Sequence, residues 1–251
     1  MTRSITENVK WVGLNDNKTE MFENIWPLEH GVSYNSYLIK DEKNVLVDTA
    51  PAEMENRFMN NLENEVGSSG IDYLIINHME PDHSGLISEI RERYDVTVVC
   101  TDKGKDLLES LYGMEGGVRV VSQGDTLDLG HKTVKFIETP FVHWPETMMT
   151  YLEEEKILFS GDAFGTFGSL SDKLFDDEVE LEHFKNEGRR YFSNVIGTYT
   201  SATKAAIGKV KELDIDVLSP SHGPVWRDDP QKIIDLYDRW CDMEGEGVLI
   251  V

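Results

Sequence analysis

The sequence predicts an α/β (α+β) sandwich in one domain. Three observations carry this reading. Short β-rich runs alternate with helical stretches in both halves; 251 residues without an interior linker is large for one domain but suits a sandwich; and polar residues able to bind metal repeatedly follow short apolar runs, where strands end. Valine-, isoleucine- and aromatic-rich runs read as strands over residues 10–14, 37–39, 45–47, 73–76, 96–100 and 133–137. Further short apolar runs lead into Asp162 and His222. Helical spacing or good helix formers occupy residues 53–66, 86–94, 103–112, 184–195, 201–213 and 230–243. Pro230 follows Asp228 and Asp229 and suits the first turn of the last of these.

The most informative stretch is Asn77-His78-Met79-Glu80-Pro81-Asp82-His83-Ser84-Gly85, which follows the apolar run Tyr73-Leu74-Ile75-Ile76. It places His78, Glu80, Asp82 and His83 within six residues, a two-metal site in outline. A turn at Pro81 lets an irregular loop aim the first pair at one ion and the second at another. Imidazole combined with hard carboxylate oxygens suits iron or manganese better than the thiolate-rich sets of structural zinc. The bland alternative is a polar loop whose histidines only bond to backbone. Three further residues sit in comparable places: His143 among Pro140, Phe141, Val142 and Trp144, Asp162 after Phe159-Ser160-Gly161, and His222 after Leu218-Ser219-Pro220-Ser221. Each alone suits a core residue, whereas together they make a set of strand-end ligands.

In this order, His-x-Glu-x-Asp-His followed by His143, Asp162 and His222 at gaps of 60, 19 and 60 residues, the chain resembles the diiron domain of the flavodiiron proteins, within the metallo-β-lactamase superfamily. Residues 31–39, 45–49 and 189–192 resemble that family as well. Hydrolases of the superfamily carry His-x-His-x-Asp-His, and Glu80 stands where they have the second histidine. The resemblance implies a metallo-β-lactamase-like αββα sandwich of two mixed β-sheets with helices outside. It also implies two iron ions carrying a bridging oxo, hydroxo or peroxo group. One iron would be held by His78, Glu80 and His143, the other by Asp82, His83 and His222, with Asp162 between them. Dioxygen or nitric oxide is the expected ligand.

The same resemblance sets expectations about organisation. Residues 1–246 read as the diiron domain, and 247–251 (Gly247-Val248-Leu249-Ile250-Val251) as the vestigial start of an absent flavodoxin module, which leaves no flavin site in this chain. Lacking its own electron entry, the chain is expected to resemble the oxygen-binding diiron proteins of bacterial chemotaxis, acting as an oxygen or redox sensor beside a signalling partner. The alternative is the catalytic core of an oxygen or nitric oxide reductase served by an external donor, flavodoxin or rubredoxin. A dinuclear zinc hydrolase fits less well, since a carboxylate at Glu80 stabilises ferric iron more than it activates zinc-bound water. The family's homodimer is also expected.

Beyond the ligands, Tyr191 reads as a phenol placed to hydrogen-bond a bound oxygen species or as core, and His30, before the Gly31 turn, as a residue near the same pocket or a surface histidine. Asp48 ends Val45-Leu46-Val47 and is expected to buttress a ligand loop. Trp144 reads as pocket wall or core, while His131 and His183 have no assigned role. Composition limits the partners: 47 acidic against 24 basic residues give a net charge of −23, which repels nucleic acid and anionic membranes. Runs such as Glu153-Glu154-Glu155 and Asp176-Asp177-Glu178 read as solvated turns or helix starts. No stretch approaches the roughly 20 apolar residues of a membrane span, the N-terminus lacks a signal core, and two scattered cysteines, Cys100 and Cys241, suit a reducing cytoplasm.

Overall fold

A computed structural model describes residues 2–242. The 247–251 segment, and the expected helix end at Met243, lie outside the described residues. In chain order the strands are β1 (Arg3–Ser4), β2 (Val9–Trp11), β3 (Leu14–Asp16), β4 (Met21–Phe22), β5 (Trp26–Pro27), β6 (Val32–Tyr34), β7 (Tyr37–Ile39), β8 (Val45–Val47), β9 (Tyr73–Ile75), β10 (Thr97–Cys100), β11 (Val118–Val120), β12 (Thr126–Asp128), β13 (Thr133–Glu138), β14 (Met148–Leu152), β15 (Ile157–Gly161) and β16 (Val217–Pro220). The helices are α1 (Glu55–Val66), α2 (Pro81–Ser84), α3 (Ile87–Tyr94), α4 (Asp102–Tyr112), α5 (Leu181–Tyr191), α6 (Thr200–Val210) and α7 (Pro230–Cys241).

One sheet has the order β1-β2-β7-β8-β9-β10-β11 and the other β12-β13-β14-β15-β16. Both are mixed: the first is antiparallel from β1 to β8 and parallel from β8 to β11, and the second turns parallel only at β15–β16. Because successive strand residues point to opposite faces, each strand serves two apolar layers. Tyr37, Ile39, Val45, Val47, Ile75 and Val99 face the other sheet, where they meet Val134, Phe136, Met148, Leu152, Ile157 and Phe159. The alternate residues Leu38, Leu46, Leu74 and Val98 face outward onto Phe58 and Leu62 of α1, Ile87 and Ile90 of α3 and Leu108 of α4. On the far side Met149, Tyr151, Leu158 and Leu218 pack against Ile207, Ile233, Ile234 and Tyr237. The result is the expected layering of helix, sheet, sheet and helix.

Several elements differ from the sequence reading for local reasons. The run at 10–14 is broken rather than continuous: β2 ends at Trp11, and β3 leaves to pair with β6. Gly13 permits this turn, since a Cβ there would lie 2.3 Å from the Tyr34 carbonyl oxygen. β14 carries no period-two signal because all five of its residues are buried. The stretch after Pro81 is a helical turn, α2, and not an irregular loop; proline at its start supplies a fixed φ and needs no N–H partner. The helix expected from residue 184 starts at Leu181, then continues past Tyr191 as a π-helical turn at Phe192–Ile196 and a 3₁₀ turn at Gly197–Tyr199 before α6. Cys100 lies in the layer outside the first sheet and Cys241 in the layer outside the second, and both are free thiols.

Phe136, fully buried between the sheets, tests this packing. Phe136→Ala is expected to lower stability by about 3–5 kcal/mol, read as a lower urea midpoint with an unchanged slope.

Candidate metal centre

The site forms where strand ends of both sheets meet. At the end of β9, Asn77 is fixed from three directions: its backbone N–H donates to Asp48 Oδ1 (2.8 Å), its carbonyl accepts from the Met148 N–H (3.0 Å), and its Oδ1 accepts from Thr150 Oγ1 (2.7 Å). Asp48, itself in the left-handed region at φ 57°, thus buttresses the ligand loop as expected. The clamp sends His78 and Glu80 toward the second sheet. Pro81 then starts α2, whose single turn directs Asp82 and His83, and Ser84 Oγ closes it back onto the Met79 carbonyl (2.8 Å).

His143 hangs from the turn between β13 and β14, braced by the Thr147 hydroxyl donating to the Thr139 carbonyl (2.6 Å). Asp162 follows β15 directly. His222 follows β16, where Asn35 Nδ2 donates to the Pro220 and Gly223 carbonyls (2.8 and 2.9 Å) and the Tyr37 hydroxyl donates to Pro220 (2.6 Å), tying β7 and the connection before it to the second-sheet loop. Gly223 has φ 81°, and a Cβ there would lie 2.0 Å from Thr166 Oγ1, so no side chain fits beside His222.

These seven residues form two trios around Asp162. His78 Nε2 and His143 Nε2 lie 3.2 and 3.1 Å from Glu80 Oε2, and 3.5 and 3.2 Å from Asp162 Oδ2. On the other side His83 Nε2 and His222 Nε2 are each 3.3 Å from a carboxylate oxygen of Asp82, and 2.9 and 3.4 Å from Asp162 Oδ1. Asp162 therefore offers one oxygen to each trio. Two ligands ~2.1 Å from one ion and at right angles are ~3 Å apart, so the spacing fits two metal ions. The orphaned atoms fit too: both oxygens of Asp82 and of Asp162, His83 Nε2 and His222 Nε2 are buried and make no hydrogen bond despite these short approaches. These ligand atoms converge on common points, where a cation would satisfy them.

Electrostatics agree. Burial alone pulls the buried imidazoles down, but the neighbouring carboxylates outweigh it: Asp162 and Glu80 hold His143 at about 9, and Asp162 and Asp82 hold His222 at about 10. Burial likewise favours neutral Glu80 and Asp162, yet the facing imidazoles keep both carboxyls well below the usual range. Without metal the histidines thus carry protons that a cation must displace. A cleft of about 650 Å³ opens over Glu80 and Asp82, walled by Met21, Phe22, Tyr34, Met54, Leu111 and Tyr112.

Two supporting residues escaped the sequence reading. Glu146 accepts from His78 Nδ1 (2.7 Å) and from the Met79 N–H (3.0 Å), and the Ser33 carbonyl accepts from His222 Nδ1 (2.7 Å). Glu146 lies three residues beyond His143, and that proximity was its only sequence signal; Ser33 acts through its backbone and had none. Trp144 packs edge-on against His78, with ring centres 5.1 Å apart, and so walls the site. Tyr191 is buried with its ring centre 5.7 Å from that of His222 and its hydroxyl unpartnered. Burial, reinforced by Asp162, keeps this phenol well above its ordinary pKa. His30 is not brought to the cluster: it is exposed and its ring packs on His183 at 4.6 Å, because the chain turns at Gly31 (φ 68°) and sends Ser33 inward instead.

The family model described as ODP family beta lactamase matches residues 32–223, which span every one of these seven residues. The chain belongs to the ODP beta-lactamase family. This ODP-family chain is 41% identical over 252 residues to the anaerobic nitric oxide reductase flavorubredoxin of Pectobacterium atrosepticum, covering 98% of this chain and 49% of that protein. The flavorubredoxin of Escherichia coli O1:K1 is 38% identical over 258 residues, covering 100% and 54%. Among solved structures, the flavodiiron protein from Giardia intestinalis matches with a TM-score of 0.91 at 31% identity over 97% of this chain and 60% of that one. Rubredoxin oxygen:oxidoreductase from Desulfovibrio gigas matches with a TM-score of 0.94 at 28% identity, over 98% and 63%. The chain spans about half to three-fifths of the length of these proteins. It is a flavodiiron-type core, related to nitric oxide and oxygen reductases.

Because His143 and His222 stay protonated up to about 9 and about 10 in the metal-free protein, metal uptake at neutral pH must release protons. Affinity is expected to rise as pH is raised toward about 9, and calorimetry in buffers of different ionisation enthalpy measures the protons released.

Proposed function

We propose that this chain is a non-haem diiron protein that binds dioxygen or nitric oxide and reduces it with electrons from a separate redox donor. The observation that carries this reading is the single carboxylate of Asp162, offering one oxygen to each trio, with a cleft opening at Glu80 and Asp82. His78, Glu80 and His143 would hold one iron, and Asp82, His83 and His222 the other. Adjacent irons, when bound, supply two electrons to one small ligand.

The chain's own residues set the conditions. Glu80, Asp82 and Asp162 bring negative charge that favours the ferric state, and three protein groups plus a shared oxygen leave each iron room for a further ligand. The rings of Phe22, Tyr34 and Tyr191 surround His222 and keep water from that side. The buried, unpartnered Tyr191 hydroxyl, on a ring 5.7 Å from that of His222, would donate a hydrogen bond to a ligand in the site. Names of the relatives support the substrate class, since they are nitric oxide and oxygen reductases.

A second reading, an oxygen or redox sensor acting in chemotaxis, rests on the resemblance of the sequence to oxygen-binding diiron proteins. One experiment separates the two. Reconstitution without air with two equivalents of ferrous iron is followed by a dioxygen pulse, recording visible absorbance and oxygen consumption together. Repeated consumption whenever reduced rubredoxin or flavodoxin is added is the expected result for a reductase, whereas a band lasting minutes with one oxygen taken up per site identifies a sensor. A chain that takes up two zinc ions and no iron would overturn both.

Two substitutions test the assignment of roles. Asp162→Ala is expected to abolish tight binding at both positions rather than one, read as metal per chain after desalting. Tyr191→Phe is expected to keep both metals and to change only the lifetime or rate seen after the oxygen pulse.

A further inference from the structure

The two half-sites are alike in their inner donors. Each has two imidazoles, one carboxylate of its own and one oxygen of Asp162, so neither differs from the other in formal ligand charge. The difference lies one bond further out. His78 donates through Nδ1 to the carboxylate of Glu146 at 2.7 Å. His222 donates to the neutral carbonyl of Ser33 at 2.7 Å, and His83 Nδ1 is buried with no hydrogen-bond partner. Among the described residues no other site imidazole hydrogen-bonds outward to a carboxylate. Asp48 is the other buried carboxylate nearby outside the ligand set; its charge bears on His83 and His78, but its hydrogen bond goes to the Asn77 N–H, so it accepts from no ring.

Glu146 is well suited to act on one half-site only. It is 3% exposed, its Oε1 accepts from both the His78 ring and the Met79 N–H, and its Oε2 has no partner, so His78 is the one site ligand whose ring answers its charge. An imidazole that donates to a carboxylate is a stronger electron donor at its other nitrogen, and in a buried setting that effect is little screened. We propose that Glu146 is a positioning residue that makes the two half-sites unequal, holding the ferric state preferentially at the side of His78, Glu80 and His143. The half-reduced centre is then a localised ferric–ferrous pair with its ferric ion beside His78.

This inference rests on the diiron reading, which fails separately if the unaltered chain takes up no iron. Glu146→Gln tests it, because glutamine keeps an oxygen to accept from His78 and Met79 while removing the charge. The protein is loaded with two ⁵⁷Fe per chain, the content is verified by metal analysis, and a redox titration is followed by electron paramagnetic resonance and Mössbauer spectroscopy. The expected result is that one midpoint potential rises while the other stays, with only one quadrupole doublet changed. A tenfold weaker hold on the ferric state reads as about 59 mV for one electron. Two irons bound with neither potential moved, or with both moved equally, would overturn the proposal. If Glu146→Gln fails to hold both irons, the half-reduced unaltered protein decides: separate ferric and ferrous spectra support the inequality, and a single averaged spectrum overturns it.

Discussion

A single carboxylate, Asp162, with one oxygen turned to each trio, is the constraint around which the rest of the molecule is arranged. To be shared in this way it must sit between groups carried by different strands, and the fold supplies them from both sheets. β9 and α2 bring His78, Glu80, Asp82 and His83 from the first sheet, while the β13–β14 turn and the ends of β15 and β16 bring His143, Asp162 and His222 from the second. Face-to-face packing of the sheets puts these ends along one edge. The apolar layer of Phe136, Phe159 and their neighbours therefore serves the site indirectly, by fixing the distance between the two edges.

Removing so many ionisable groups from water costs several kcal/mol for each unpaired ion, which explains how much of the surrounding structure is polar yet satisfied. Asn77 spends its backbone and side chain on both sheets, Asn35 and Tyr37 reach across to the Pro220 carbonyl, and Ser33 uses its carbonyl on His222 and its hydroxyl on the Gly223 N–H. With the Glu146 bond to His78, the Ser33 bond fixes ring orientation at His78 and His222, so that their Nε2 atoms face inward. Both oxygens of Asp82 and of Asp162, with Nε2 of His83 and of His222, are left without hydrogen bonds where a cation would satisfy them.

Much of this was legible in the sequence because ligand chemistry is local. Four donors within six residues after an apolar run, and three more donors each after a strand or within a strand-to-strand turn, identified the seven residues that the structure gathers. The layered fold was legible too, since helical and strand periodicities alternate along the chain. What remained hidden depended on backbone direction and on contacts between distant segments. Nothing in the spacing of Glu146 reveals that its carboxylate meets His78, 68 residues earlier in the chain. Ser33 contributes a carbonyl, which every residue has. His30 stands three residues before Ser33, but a positive φ at Gly31 sends it outward. β14 was missed because a strand buried on both faces loses its alternation.

The π-helical turn at Phe192–Ile196, between α5 and α6, has a consequence for how the chain can change in length. It follows directly after Tyr191 and buries Phe192, Val195 and Ile196 together. A turn of this kind absorbs one residue more than an α-helical turn, whereas an unabsorbed gain or loss in the helix that follows, α6, would turn the residues beyond it by about 100°. Ala206 and Ile207 would then leave the core they now share with Tyr191. The turn around Gly67 and Gly70 is the opposite case, since a side chain at either position would meet nothing within 4 Å. Insertions and deletions should therefore accumulate at the tip after α1 and be purged from the segment behind Tyr191, so that the length of this helical stretch is as strict a signature of the site as its ligands.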